Sequence, residues 1–159
     1  MPDPATRVPS MAGEGPMSYA IFELARAHRG QAAAMLRKMD LHPGQELLLM
    51  HLFDRDGQTQ SELLEAVGID HSTVSKSLRR MQDAGLVVRD PAEHDRRVMV
   101  VHLTDKGRAM REPISAMWRA LEATSAQHLS TDQAETFVRT AYTIVDAING
   151  RAQPQDEPT

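Results

Sequence analysis

Apolar residues first recur at helical spacing between Ser18 and Met39, where Ile21, Phe22, Ala25, Ala32, Met35, Leu36 and Met39 predict an amphipathic helix. The run Leu41-His42-Pro43-Gly44 ends it. A second helix, Gln45 to Phe53, carries Leu47, Leu48, Leu49, Met50, Leu52 and Phe53, and is apolar on nearly every side. Such a helix belongs in the middle of a core. After the turn Asp54-Arg55-Asp56-Gly57, Thr59 opens a third helix, and Glu62 three residues later completes a capping box. Leu63, Leu64 and Val67 supply its buried side and Gly68 stops it. Asp70 is the expected N-cap of a fourth helix, with Ile69 placed to staple onto Val74, and Gly85 ends that helix after Ala84.

The period then changes from helical to alternating. Leu86–Arg89 and Arg97–Leu103 predict two strands, joined across the polar segment Asp90–Asp95 as a hairpin. Thr104 caps a fifth helix running from Asp105 to about His128, with Met110, Ile114, Met117, Trp118 and Leu121 on one face. Pro113 inside it predicts a kink. Ser130, with Gln133 three residues on, starts a sixth helix whose stripe is Phe137, Val138, Ala141, Ile144, Val145 and Ile148, closed by Asn149-Gly150.

The predicted fold is mainly α with a small β-hairpin. Its central unit, residues 43–104, has the order of a winged helix-turn-helix. Residues 17–42 and 105–149, which hold the first, fifth and sixth helices, form a helical dimerisation region, because amphipathic terminal helices need a partner for their apolar faces. Residues 1–16 read as a disordered lead and 150–159 as a disordered tail.

Composition narrows the possibilities. No cysteine is present, which excludes a disulfide scaffold, a thiolate nucleophile and a cysteine redox switch. The start of the chain lacks the apolar segment of a signal peptide and no apolar run is long enough to cross a bilayer, so a cytoplasmic protein without a membrane partner is expected. The net charge of −4 is unevenly spread. Between Asp70 and Arg111 nine basic residues meet six acidic ones, which makes this quarter of an acidic chain locally positive.

The fourth helix carries the candidate chemistry. Val74, Leu78 and Met81 share a narrow arc, while Ser72, Lys76, Arg79 and Asp83 lie almost opposite, flanked by Thr73, Ser75 and Arg80. Short hydroxyl side chains at the leading end, followed by cations, suit a helix in the major groove of duplex DNA, where hydroxyls approach base edges and cations reach guanine or phosphate. Ser72, Thr73, Ser75, Lys76 and Arg79 are therefore the candidate groove residues, and Thr59, Gln60 and Arg80 the candidates for phosphate contact. In the hairpin, Arg96 and Arg97 can enter a minor groove, with Asp95 able to hold one of them by a charge-assisted hydrogen bond.

Gln58-Thr59-Gln60-Ser61-Glu62-Leu63, the stretch Thr73 to Val88, and Asp95-Arg96-Arg97 through Leu103-Thr104-Asp105-Lys106-Gly107 together resemble the MarR family of bacterial regulators. The resemblance is strongest over residues 45 to 110, where a recognition helix ends in Gly-Leu-Val and a wing carries Asp-x-Arg, followed by Leu-Thr-x-x-Gly. It implies a transcriptional regulator, most simply a repressor, that binds a pseudo-palindromic operator as a homodimer, with Arg97 as the minor-groove residue. It also implies release by a small-molecule effector bound between the dimer arm and the reading head. His28, Met50, His51 and Trp118 are the candidates to line that space. No cofactor is expected.

Two other functions compete. A winged helix used only for protein contact would carry exposed apolar anchors in place of Lys76, Arg79, Arg80, Arg96 and Arg97. A metal-responsive regulator would need His ligands, yet no two of the seven His stand three or four residues apart, so a site would have to be assembled from distant residues such as His42 and His51. An enzyme is not expected, since no nucleophile elbow, phosphate loop or metal-binding pair occurs.

Overall fold

A computed structural model describes residues 8–151. The chain divides into two compact units, residues 1–121 and 122–159. In the first unit lie α1 (Pro16–Arg37), α2 (Gln45–Asp54), β1 (Gln58–Thr59), α3 (Gln60–Val67), α4 (His71–Asp83), β2 (Val87–Pro91), β3 (Met99–Leu103), α5 (Asp105–Ala109) and most of α6 (Arg111–Ala126); the end of α6 and all of α7 (Thr131–Ile148) belong to the second. Ahead of α1, Ser10–Glu14 form a short 3-10 helix, so the expected disordered lead is not structureless up to residue 16; residues 1–7, and 152–159 of the expected tail, lie outside the described residues. Among the described residues no helix is long and apolar enough to cross a membrane.

The core of the first unit is built on α2. Leu48, Leu49 and Leu52 are buried, and around them gather Leu36 of α1, Leu63 of α3, Val74, Leu78 and Met81 of α4, Val87, Val101 and Leu103 of the sheet, and Ile114 and Met117 of α6. Leu47, Met50 and Phe53 are half-buried, as a helix apolar on most sides and ringed by neighbours requires. The helix-turn-helix follows from local chemistry. Gly68 closes α3 in the left-handed region at φ +62°, a conformation that a Cβ would penalise. Asp70 then caps α4 by accepting the Thr73 N–H at 3.0 Å. At the far end Gly85 turns left-handed at φ +74°, and the N–H of buried Leu86 reaches back to the Met81 carbonyl at 2.9 Å, sealing the helix end.

The sheet is antiparallel, in the order β1-β3-β2, with Gln58 opposite Val101 and Val87 opposite Leu103. Strand β1 was not anticipated, because two residues leave no alternation to detect. The hairpin strands also run later than expected, and the connection between them covers residues 92–98. The expected long fifth helix is broken in two at Met110. The break sits ahead of Pro113 itself because a proline ring collides with the carbonyl four residues earlier, here Ala109, the last residue of α5.

The joint between the hairpin and α5 is tightly determined. Thr104 accepts the Gly107 N–H at 3.0 Å, while its hydroxyl donates to the Gly85 carbonyl at 2.6 Å. Gly107 is buried directly against Leu86, and a Cβ there would collide with the Leu86 carbonyl oxygen. Asp56 ties the same joint from the other side, accepting the Leu103 N–H at 2.8 Å and an Arg108 N–H at 2.9 Å. The Leu-Thr-x-x-Gly sequence is thus a packing device. Gly107→Ala should destabilise the fold by about 3 kcal/mol through enforced overpacking, read as a fall of roughly 10 °C in Tm by calorimetry.

Candidate nucleic-acid interface

Helix α4 divides as its spacing requires. Val74, Leu78 and Met81 are at most 2% exposed, whereas Ser72, Thr73, Lys76, Arg79, Arg80 and Asp83 are exposed on the other side. Ser75 sits on the flank and is half-buried. Among the described residues, Lys76, Arg79 and Arg80 form no ion pair, so their charges are not neutralised within the chain. Asp70 organises the leading end of the helix. Its Oδ1 accepts from the Ser72 hydroxyl at 2.6 Å and the Thr73 N–H at 3.0 Å, and its Oδ2 accepts from the Thr73 hydroxyl at 2.6 Å. The Ser72 and Thr73 hydroxyls and the Thr73 N–H hold this carboxyl well below the usual carboxylate range.

The wing is ordered by Asp95, though not as expected. Its carboxylate takes the backbone N–H of Arg97 at 3.0 Å and not a guanidinium, and its carbonyl accepts the Val98 N–H at 3.0 Å. Residue i+2 is the natural local partner for an aspartate in a turn. Among the described residues the exposed side chains of Arg96 and Arg97 have no ion-pair partner. Arg89, which sequence inspection left aside, braces the wing to α4 through Nε–H to Gln82 Oε1 at 2.6 Å. Its single charge in a strand gave no signal of that partner.

At the start of α3 the capping box is closed. Glu62 Oε2 accepts the Thr59 N–H at 2.7 Å and the Thr59 hydroxyl at 2.9 Å, and the Glu62 N–H donates back to that hydroxyl at 3.1 Å. Arg55 adds an ion pair at 2.8 Å. The Thr59 hydroxyl proton is therefore directed at Glu62, while Gln60 beside it is half-buried. The backbone N–H of Thr59, then Arg55 and the Thr59 hydroxyl, hold the Glu62 carboxyl down at about 2.

The four effector candidates differ in setting. His28 is exposed on α1, Met50 and His51 are half-buried on α2, and Trp118 is half-buried on α6 with its indole Nε1 enclosed and without an acceptor. A cavity of about 260 Å³ in this unit is lined by Leu52, Phe53, Asp56, Leu103, Arg108 and Arg111, and by none of the four. Among the described residues no three His or carboxylate side chains gather as a metal-binding cluster.

The sequence model of the MarR family matches residues 39–98, the segment that holds α2 through the wing. Over those residues the chain is similar to the MarR family. The HTH-type transcriptional repressor Rv2887 of Mycobacterium tuberculosis is 26% identical over 129 residues, covering 81% of this chain and 93% of its own. The HTH-type transcriptional regulator MgrA of Staphylococcus aureus is 26% identical over 134 residues, covering 84% and 90%. Both relatives are named as regulators of transcription. Among solved structures, a cysteine-to-serine variant of MarR from E. coli complexed with operator DNA superposes with a TM-score of 0.78 at 20% identity, covering 86% of this chain and 99% of that one. PcaV from Streptomyces coelicolor, in complex with its natural ligand, gives 0.77 at 21% identity, covering 90% and 99%. Both establish the winged-helix fold.

The closed capping box yields a pH signature. A carboxyl whose folded value is lowered stabilises the fold above its ordinary value and loses that contribution as pH falls towards the folded one. The stability gap between the parent and Glu62→Gln should be constant above about pH 5 and should close between about 4.5 and 2, followed by urea unfolding across that range. Thr59→Ala, which removes the other half of the box, should cost about 1 kcal/mol at neutral pH.

Proposed function

We propose that this chain is a sequence-specific, double-stranded DNA-binding transcriptional regulator, acting as a repressor in the bacterial cytoplasm. One observation carries the reading: α4 buries Val74, Leu78 and Met81 and leaves hydroxyl and cationic side chains facing outward without ion-pair partners. In this reading Ser72, Thr73, Ser75, Lys76 and Arg79 meet base edges in the major groove. Thr59, Gln60 and Arg80 meet phosphate. The wing, ordered by Asp95, lays Arg96 and Arg97 along the backbone and into the minor groove, where negative potential is concentrated. The DNA complex of the E. coli relative supports the choice of ligand.

The regulator acts as a homodimer on a pseudo-palindromic site. Met17, Ile21, Phe22 and Leu24 on α1, and Phe137, Val138, Tyr142, Val145 and Ile148 on α7, are exposed large apolar side chains. A monomer rarely leaves so many in water, and a twofold partner would cover them. Two reading heads would then fall ~34–36 Å apart, one turn of DNA. Release by a small-molecule ligand completes the reading, supported by the ligand complex of PcaV; His28, Met50, His51 and Trp118 are the residues proposed to meet it.

Binding to duplex DNA across a salt series tests this. Affinity should fall steeply with salt, as counterion release demands, and a flat response would favour a protein-contact module. Arg97→Ala should weaken binding to all sequences alike and make the slope shallower by about 1 per half-site. Arg79→Ala should instead relax one base preference by about 1–3 kcal/mol.

A further inference from the structure

A hydroxyl side chain at a protein–DNA interface is usually treated as ambivalent, because it has one proton to donate and two lone pairs to accept with. At the leading end of α4 that ambivalence is absent. The Ser72 hydroxyl points its proton at Asp70 Oδ1 at 2.6 Å, and the Thr73 hydroxyl points its own at Oδ2, also at 2.6 Å. These are short, charge-assisted bonds to a carboxylate that can only accept. The Thr73 N–H adds a third donor at 3.0 Å and locks the carboxylate in place as the helix cap. Ser72 and Thr73 are nevertheless exposed, so their lone pairs remain open to a ligand.

We propose that Asp70 fixes the hydrogen-bonding polarity of this end of the helix: Ser72 and Thr73 meet the operator as acceptors only. They therefore select base pairs that turn an exocyclic amino group, adenine N6 or cytosine N4, towards them. This rests on the reading of α4 as the DNA-reading helix and adds which base edges its first turn takes.

The chemistry is one-sided. Guanine O6 and N7 and thymine O4 are acceptors, so contacting them through Ser72 or Thr73 would require the hydroxyl to leave a charged partner for a neutral one. The carboxylate itself adds to the bias, since its charge repels those acceptors and attracts an amino group. It stays ionised throughout the physiological range, because the hydrogen bonds it accepts hold its carboxyl far below that range. Lys76 and Arg79, one and two turns further along, have the opposite polarity, as they can only donate. The helix thus presents an acceptor end followed, about 6 Å along its axis, by a donor stretch. The preferred half-site should place an amino-bearing base where the first turn reaches and an acceptor base, guanine above all, where Lys76 and Arg79 reach.

Selection of duplexes from a randomised library, with sequencing of the bound fraction, tests this. The double variant Ser72→Ala/Thr73→Val identifies the positions these hydroxyls read, as those whose preference it flattens. Every base pair carries one amino-bearing base, so the readout is its strand: at those positions the parent protein should favour, by roughly tenfold, the orientation that puts adenine or cytosine on the strand to which Ser72→Cys cross-links. Asp70→Asn keeps a helix cap of equal rank, its Oδ1 still accepting the Thr73 N–H and the Ser72 hydroxyl, but sets a donating amide where Oδ2 took the Thr73 hydroxyl proton, which frees that one proton. It should admit guanine or thymine at the position that Thr73 reads, and leave the preferences belonging to Ser72, Lys76 and Arg79 intact. A second measurement needs no variant: replacing the selected adenine by purine, or the selected cytosine by 2-pyrimidinone, removes only the amino group and should weaken the parent protein's binding about tenfold. Guanine or thymine on that strand at the flattened positions overturns the proposal. So does an Asp70→Asn preference unchanged from the parent, or indifference to loss of the amino group. Failure of the parent to enrich any duplex would overturn both this proposal and the DNA-binding reading beneath it, whereas a sharp motif of the wrong polarity overturns this proposal alone.

Discussion

The structure depends on the seating of α4 by Val74, Leu78 and Met81 against the leucines of α2 and α3. Each such side chain contributes about 1.5–3 kcal/mol when moved from water to a packed interior. Together they supply a sum comparable with the whole net stability of a small domain, about 5–15 kcal/mol. The helix therefore has one orientation available to it. Turning Lys76 or Arg79 inward would expose those three apolar groups and bury an unpaired charge, two penalties of the same sign. The outward direction of the hydroxyls and cations is a consequence of the core, and the proposed recognition surface is the remainder left once packing has been satisfied.

The second constraint fixes where the sheet ends and the next helices begin. Thr104 and Gly107 hold the start of α5 against the turn after α4, and Asp56 holds the sheet and Arg108 together. Lys106 adds a bond from Nζ to the Ala84 carbonyl at 2.7 Å. The end of α4, the base of the wing and the first turn of α5 are thereby one rigid knot. Arg89 extends it along the wing by its bond to Gln82. Any displacement of α5 must be passed to α4 through these contacts, since the close approach of Gly107 to Leu86 leaves no room for slack.

Much of this was legible before any coordinates. The burial of α4 followed from the spacing of residues 74, 78 and 81, and both capping boxes could be read from Thr59 with Glu62 and from Ser130 with Gln133. These signals are local, so a sequence displays them directly. What escaped was of another kind. Strand β1 is too short to carry a period, and it exists only because β3 is there to pair with it. Pro113 announced a break but acts four residues upstream. The partners of Asp70 and Asp95 depend on rotamer and turn geometry, so the letters showed a capping aspartate and a wing aspartate without showing which protons each one takes. Partner choice among neighbouring polar groups is where one-dimensional inference ends.

The claim beneath all of this is that the outward face of α4 meets the grooves of a duplex. The absence of cysteine allows a single reactive thiol to be placed at will. Lys76→Cys should form disulfide cross-links to a duplex carrying thiol-tethered bases in the major groove, with yield sharply dependent on tether position. Glu65→Cys, exposed on α3, should not. Equal yields from the two sites, or none from Lys76→Cys on a duplex that the protein demonstrably binds, would contradict the account.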